Sequence, residues 1–145
     1  MPPQNKSVFF LFINGPHHVY HLIGPALRFA SNNHEYESIF VSGSPINTTI
    51  IKDSWRLHRS ADFTLIDIPL PLRYRFIKSY KAKLYPPVYT RFKKIVPNLK
   101  DALAIVSTSH ELPIYVAENK IKKPKLFFLY HGTGTREYGF DNNLD

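Results

Sequence analysis

Hydrophobic residues in this chain come in two alternating rhythms. "SVFFLFI", residues 7–13, is an unbroken apolar run closed by Asn14, Gly15 and Pro16, the pattern of a strand buried on both faces. Val19, Leu22, Ile23, Ala26, Leu27 and Ala30 follow, and their spacing of three and four residues draws one apolar stripe along a helix. Pro25 falls inside the stripe and is expected to bend that helix or mark its first turn. A second strand reads in "YESIFVSG" at 36–43. Ser44 then suits an N-cap and Pro45 the first helical position of "SPINTTIIKDSWRL". "DFTLIDIP" at 62–69 is the third strand. Helices are expected over 73–84 and 88–100, separated by Pro86-Pro87. "ALAIVSTS" at 102–109 is the fourth strand. A short helix in "ELPIYVAENKI" comes next, with Thr108 and Glu111 at capping-box spacing. "PKLFFLYHG" at 124–132 is the fifth strand.

Strands that alternate with helical patterns pair in parallel, because parallel neighbours need a crossover and right-handed crossovers cover the sheet with helices. The pattern therefore predicts an α/β, Rossmann-like domain spanning 1–145. Its parallel sheet has about five strands in the order 3-2-1-4-5, with helices on both faces.

Composition narrows the chemistry. The chain has 145 residues, 43% of them apolar, enough for one compact domain with a core. It has no cysteine, which excludes a disulfide scaffold, a thiolate metal site and a cysteine nucleophile, and fits a reducing compartment. The start lacks a small-residue cleavage site and no stretch is long and apolar enough to span a bilayer, so a cytoplasmic location is expected. The "NTT" match to a glycosylation sequon at 47–49 then carries no meaning.

In a sheet of this order, ligands bind beyond the carboxyl ends of the strands, where the order reverses. The loops after strands one and four flank that point. They read "NGPHHVYH" and "STSH", and the loop after strand five reads "YHGTGTREYGFD". His17, His18, His110 and His131 thus come from three loops onto one edge. His17, His18 and His21 share a helix face and form a candidate metal cluster, but no acidic residue lies near them, and a loop cap or a polar ligand contact is the expected role. No metal or cofactor is expected. Neither "NGPHH" nor "HGTGT" is a dinucleotide fingerprint or a Walker loop. Gly132 and Gly134 permit unusual backbone conformations, and exposed amides beside Thr133, Thr135 and Arg136 suit an anionic group. A flexible turn is the plain alternative there, and a helix cap is the plain alternative for Ser107 and Thr108.

"HGTGTREYGFD" resembles the H-G-x-G-x-R-x-x-G-F-D segment of proteins related to the CDP-glycerol glycerophosphotransferases, and "HLIGPALRFA" is similar to the first helix of GT-B glycosyltransferases. The resemblance implies the amino-terminal, acceptor-side half of a GT-B fold. The donor-binding domain would lie outside this chain, either further along a longer enzyme or in a partner subunit, an arrangement known among transferases of this fold. The implied function is transfer of a glycosyl or glycerophosphoryl-type group from a nucleotide-activated donor to a polysaccharide or lipid-linked acceptor of the cell envelope. It implies His131 as the base, with His17 and His18 competing for that role. Asn14, Gly15, Ser109, His110, Gly132, Thr133, Gly134, Thr135 and Arg136 would contact substrate. The segment departs from the family pattern at Thr133 and Thr135, where a smaller and an acidic residue are expected. A non-catalytic Rossmann-like binding or regulatory domain is the alternative function.

Charge adds a last feature. Arg73, Arg75, Lys78, Lys81, Lys83, Arg91, Lys93, Lys94 and Lys100 occupy a window without acidic residues, against a net charge of +8 for the whole chain. The rest of the protein is thus close to neutral. Aromatics interleave these cations. A solvated face whose rings pack on the sheet is the first reading of residues 73–100. An anionic membrane surface at the inner face of the plasma membrane is the second. Nucleic acid ranks last, because no recognised binding motif accompanies the charge.

Overall fold

The computed structural model describes residues 6–13, 15–68 and 92–129. The helix expected at 73–84, most of the basic window, and the "HGTGTREYGFD" segment lie outside the described residues.

Five parallel strands form one sheet: β1 (Ser7–Phe12), β2 (Glu37–Ser42), β3 (Thr64–Asp67), β4 (Ala104–Ser107) and β5 (Lys125–Phe128). Their spatial order is β3-β2-β1-β4-β5, the order expected from the alternation. The register places Phe9 beside Ile39 and Ile105, and Phe10 beside Phe40 and Val106. Helices α1 (Pro16–Asn32) and α2 (Pro45–Leu57) connect β1 to β2 and β2 to β3. After β3 come a 3₁₀ turn (Phe92–Ile95) and α3 (Val96–Asp101), then β4, α4 (Leu112–Glu118) and β5.

Alternation along β1 divides the core in two, because successive side chains leave a strand on opposite faces. Val8, Phe10 and Phe12 pack with the α1 stripe, Phe40 and Ile51 of α2. Phe9 and Leu11 pack with Phe92, Ile95 and Leu99, and with Leu112, Tyr115 and Val116 of α4. Both faces are thus covered by helices, and Phe40 is 0% exposed, stacked on Phe63 with ring centroids 4.1 Å apart.

Helix starts follow the sequence with two exceptions. Ser44 caps α2 by accepting the Asn47 amide at 3.3 Å, with Pro45 at its first position. Pro25 lies in the interior of α1, not in its first turn. The helix expected over 88–100 is, in its described part, a 3₁₀ turn followed by the six residues of α3. Pro97 explains this: it has no N–H for a carbonyl four residues back and is tolerated only in a first turn. Within that stretch Lys93, Lys94 and Lys100 are exposed while Phe92, Ile95 and Leu99 are buried. The capping box is the second exception. Glu111 occupies the N-cap position of α4 without a side-chain cap, and Thr108 bonds elsewhere.

Tyr115 ties α4 to the 3₁₀ turn by donating its hydroxyl to the Phe92 carbonyl at 2.9 Å. Burial pushes its pKa from 10.0 up to about 12. The unfolded chain then releases this proton first, so the folded state loses stability as pH rises from about 10 to about 12. The loss is at most about 2–3 kcal/mol. Tyr115→Phe should cost about 1 kcal/mol at neutral pH through the lost hydrogen bond and flatten the alkaline slope. Urea denaturation of both proteins at neutral pH and across that window checks both effects; an unchanged slope would mean another group carries it.

Candidate functional site

Strand order reverses between β1 and β4, so the chain leaves these adjacent strands toward opposite faces of the sheet. Their following loops bound a cleft at the carboxyl edge. The first loop carries Gly15, Pro16, His17 and His18, where α1 begins with Pro16 as its first residue. The second carries Ser107, Thr108, Ser109 and His110, ahead of α4.

Among the described residues, a polar contact joins the two loops. His18 Nδ1 lies 3.2 Å from the Thr108 hydroxyl, ninety residues away in sequence. Thr108 is buried and His18 half-buried, so the contact fixes the imidazole against the sheet edge. The His17 ring packs on His18 with centroids 4.1 Å apart and stands exposed. Gly15 makes this possible. A Cβ there would stand 3.3 Å from His17 Nδ1, tighter than ordinary contact.

The serines of the second loop hold the loop itself. Ser107 Oγ donates to the Leu11 carbonyl at 3.4 Å and accepts the Ser109 amide at 3.2 Å. Ser109 Oγ accepts the Glu111 amide at 3.3 Å. Ser109 is therefore buried and engaged inside the loop, whereas His110 is exposed beside it. Among the candidates, His17, His18, Gly15, Ser109 and His110 lie on this edge. Asn14, His131, Gly132, Thr133, Gly134, Thr135 and Arg136 lie outside the described residues. Leu129, two residues before His131 in the chain, bonds its amide to the Ser107 carbonyl at 2.9 Å, so β5 ends on the same rim.

Three residues that the sequence pattern does not single out, Asn47, Thr48 and Asp67, extend the rim across β2 and β3. Asn47, on the buried side of α2, donates to the Phe12 carbonyl at 3.0 Å. Thr48 Oγ1 lies 2.7 Å from Ser42 Oγ and also contacts the Asp67 carboxylate. Ser42 in turn donates to the Ser44 carbonyl at 2.9 Å. Asn47 and Thr48 fall in the sequon-like "NTT", and their signal is only a polar pair on a helix face that should be apolar. Gly43 lets this loop approach the first: its amide reaches the Phe12 carbonyl at 2.9 Å, and a Cβ would stand 3.3 Å from Ile13 Cα. The exposed carboxylate of Asp67 is thereby held by a buried hydroxyl.

Among the described residues, no group of three or more His, Cys, Asp or Glu side chains could hold a metal ion, and no helix is long and apolar enough to cross a membrane. Open grooves of about 580 and 420 Å³ lie at the opposite, amino-terminal edge, the first lined by His34, Glu35 and Asp62, the second by Glu37, Asn98 and Asp101. Among the described residues, the carboxyl edge presents imidazoles, hydroxyls and the carboxylates of Asp67 and Glu111. It can bind a hydroxyl-bearing ligand and accept a proton from it. No protein-family model and no curated protein matches the chain.

If Thr108 orients His18, Thr108→Val should shift the His18 imidazole ¹⁵N signals and loosen its packing on His17. Stability should fall by only about 1 kcal/mol. Unchanged His18 signals would show that the contact does not set the ring's position.

Proposed function

We propose that this chain is the acceptor-side domain of a GT-B transferase akin to the CDP-glycerol glycerophosphotransferases. The observation that supports the reading most is the His18–Thr108 contact across the point where strand order reverses. In this reading the held imidazole stands where an acceptor would lie in such a sheet. The resemblance of "HGTGTREYGFD" supplies the rest, and β5 delivers Leu129, just ahead of that segment, to the same rim.

In this reading the acceptor hydroxyl attacks the activated centre of a nucleotide-linked donor. The new bond forms from the acceptor oxygen, the nucleotide leaves with the electron pair of the broken bond, and the hydroxyl proton passes to an imidazole. His131 takes that proton, since imidazole titrates near neutrality. His17 and His18 line the acceptor's approach and are the alternatives for the base. Gly132 and Gly134 let the acceptor come close, and Arg136 pairs with a phosphate.

Such a reaction needs two walls, and in this reading the chain supplies one. Residues 1–145 alone should therefore give no turnover with CDP-glycerol or a panel of nucleotide sugars. Robust transfer from this chain alone would overturn the two-wall reading. Supplied with a donor-binding domain, it should gain transfer activity; if it instead serves as a non-catalytic binding module, no donor domain will elicit any.

In the active assembly, His131→Ala should lower kcat by roughly 10²–10⁴-fold with the fold intact by circular dichroism. Near wild-type kcat would remove His131 from the mechanism and move the role to His17 or His18.

A further inference from the structure

We propose that the larger groove at the amino-terminal edge of the sheet is a binding site for a small organic polycation, a linear polyamine whose ammonium groups are spread along an aliphatic chain. The proposal stands apart from the transferase reading and concerns the opposite edge of the sheet.

The groove is built where β2 and β3 start. Glu35 and Glu37 sit at the entry to β2, Asp62 and Phe63 at the entry to β3, and Ala30 of α1 also lines it. Its volume of about 580 Å³ is that of a small-molecule site. Ala30 belongs to the α1–α2 core, with Tyr36 and Phe63 packed against that core. The groove therefore opens at one end of it.

Ser38 gives the groove an unmet hydrogen bond. It pairs in register with Val8 and stands two residues before Phe40. Alternation along the strand sends its side chain to the face that Val8 and Phe40 share, the α1–α2 side. Ser38 is only 2% exposed, and its Oγ has no hydrogen-bond partner among the described residues. The groove that it lines is the side from which a partner can come. Neighbouring buried positions of this core are apolar, among them Val8, Ala30 and Phe40. A buried hydroxyl without a partner is costly, and a small apolar residue would avoid that cost. A hydrogen-bonding group that enters the groove recovers it.

Charge selects the sign of that group. Glu35, Glu37 and Asp62 line the groove with Lys6 and the imidazole of His34, so carboxylates outnumber ammonium groups there. None of the three has an ion-pair partner among the described residues. The chain has only eleven acidic residues and a net charge of +8, so this gathering of unpaired carboxylates runs against its overall balance and favours a cation. A metal ion does not fit, because no group of three or more His, Cys, Asp or Glu side chains among the described residues could hold one. Carboxylates that do not converge on one point suit charges distributed along a flexible chain. Tyr36 and Phe63 supply apolar surface for its carbons, and the Ser38 hydroxyl accepts an ammonium N–H.

Titration of the ¹⁵N-labelled chain with spermidine at low ionic strength, followed through amide chemical shifts, tests the site. The expected result is saturable shifts at Ser38, Asp62 and Phe63. They should weaken with added salt, because exposed charges are screened over about 8 Å at physiological ionic strength. Ser38→Ala should weaken binding about tenfold through the lost hydrogen bond to a charged group. The melting temperature of the free variant should stay the same or rise, since the orphaned hydroxyl is gone. Asp62→Asn should also weaken binding, with circular dichroism unchanged. A merely structural serine predicts the same melting behaviour for Ser38→Ala with affinity unchanged, and that outcome overturns the proposal. Absence of saturable binding at low salt overturns it too, as do shifts confined to Asn98 and Asp101 of the second groove. Binding that appears only once residues 1–5 are removed would assign the groove to the chain's own start and likewise reject a polyamine site.

Discussion

The double burial of β1 is the constraint from which the rest of the molecule follows. Strand neighbours occupy both its edges and helices cover both its faces, so none of its side chains reaches water. Six consecutive residues must then be accommodated in two separate cores, with Phe10 and Phe12 on one side and Phe9 and Leu11 on the other. That requirement forces helices onto both faces. Right-handed crossovers can supply them only if the chain moves one way from β1 and later returns to add strands on its other side. The cleft at the carboxyl edge is a by-product: it opens because the β1 and β4 loops leave the same place in opposite directions.

What lines the cleft is decided by a second constraint, the cost of burying polar groups. A hydroxyl or amide removed from water without a partner costs roughly 1–3 kcal/mol. The carboxyl edge buries Ser42, Asn47, Ser107, Thr108 and Ser109, and hydrogen bonds engage each within the rim. Their polarity therefore stiffens the loops. Among the described residues, His17, His110 and Asp67 face solvent, with His18 half-exposed on its threonine anchor. The rim thus combines a rigid base with a few exposed titratable side chains, and glycines at 15 and 43 allow the loops to lie close enough to do so.

How much of this can be read in the sequence depends on the range of each interaction. Element positions are legible because periodicity is a local consequence of helix and strand geometry, and strand order is legible because crossover handedness leaves few choices. Thr108 shows the limit. Its spacing to Glu111 matches a capping box, a local motif, but its hydroxyl is taken by His18 ninety residues away, and no local pattern records that competitor. Asn47 and Thr48 are opaque for the same reason: their partners, Phe12 and Asp67, are brought close only by the folded sheet. Pro97 is a different case, since its effect is local. One helix is the expectation over 88–100, yet in the described part a proline without an amide proton confines the α-helix to the six residues that begin beside it. The exposure of Leu126, Phe127 and Phe128 on β5 was not legible at all, because an apolar strand reads the same whether or not something covers it.

The distribution of chemistry over the two edges of the sheet bears on what the molecule can do alone. Two grooves among the described residues lie at the amino-terminal edge, while His17, His18, His110, the hydroxyl network and the held carboxylate lie at the other. His17, His110 and Asp67 stand exposed to solvent at that edge. Charges and hydrogen bonds gain strength when water is excluded, because the effective dielectric falls. Among the described residues, the carboxyl edge has the positioning that chemistry needs. Positioning is a property that this fold generates by itself, through β1 and its two loops.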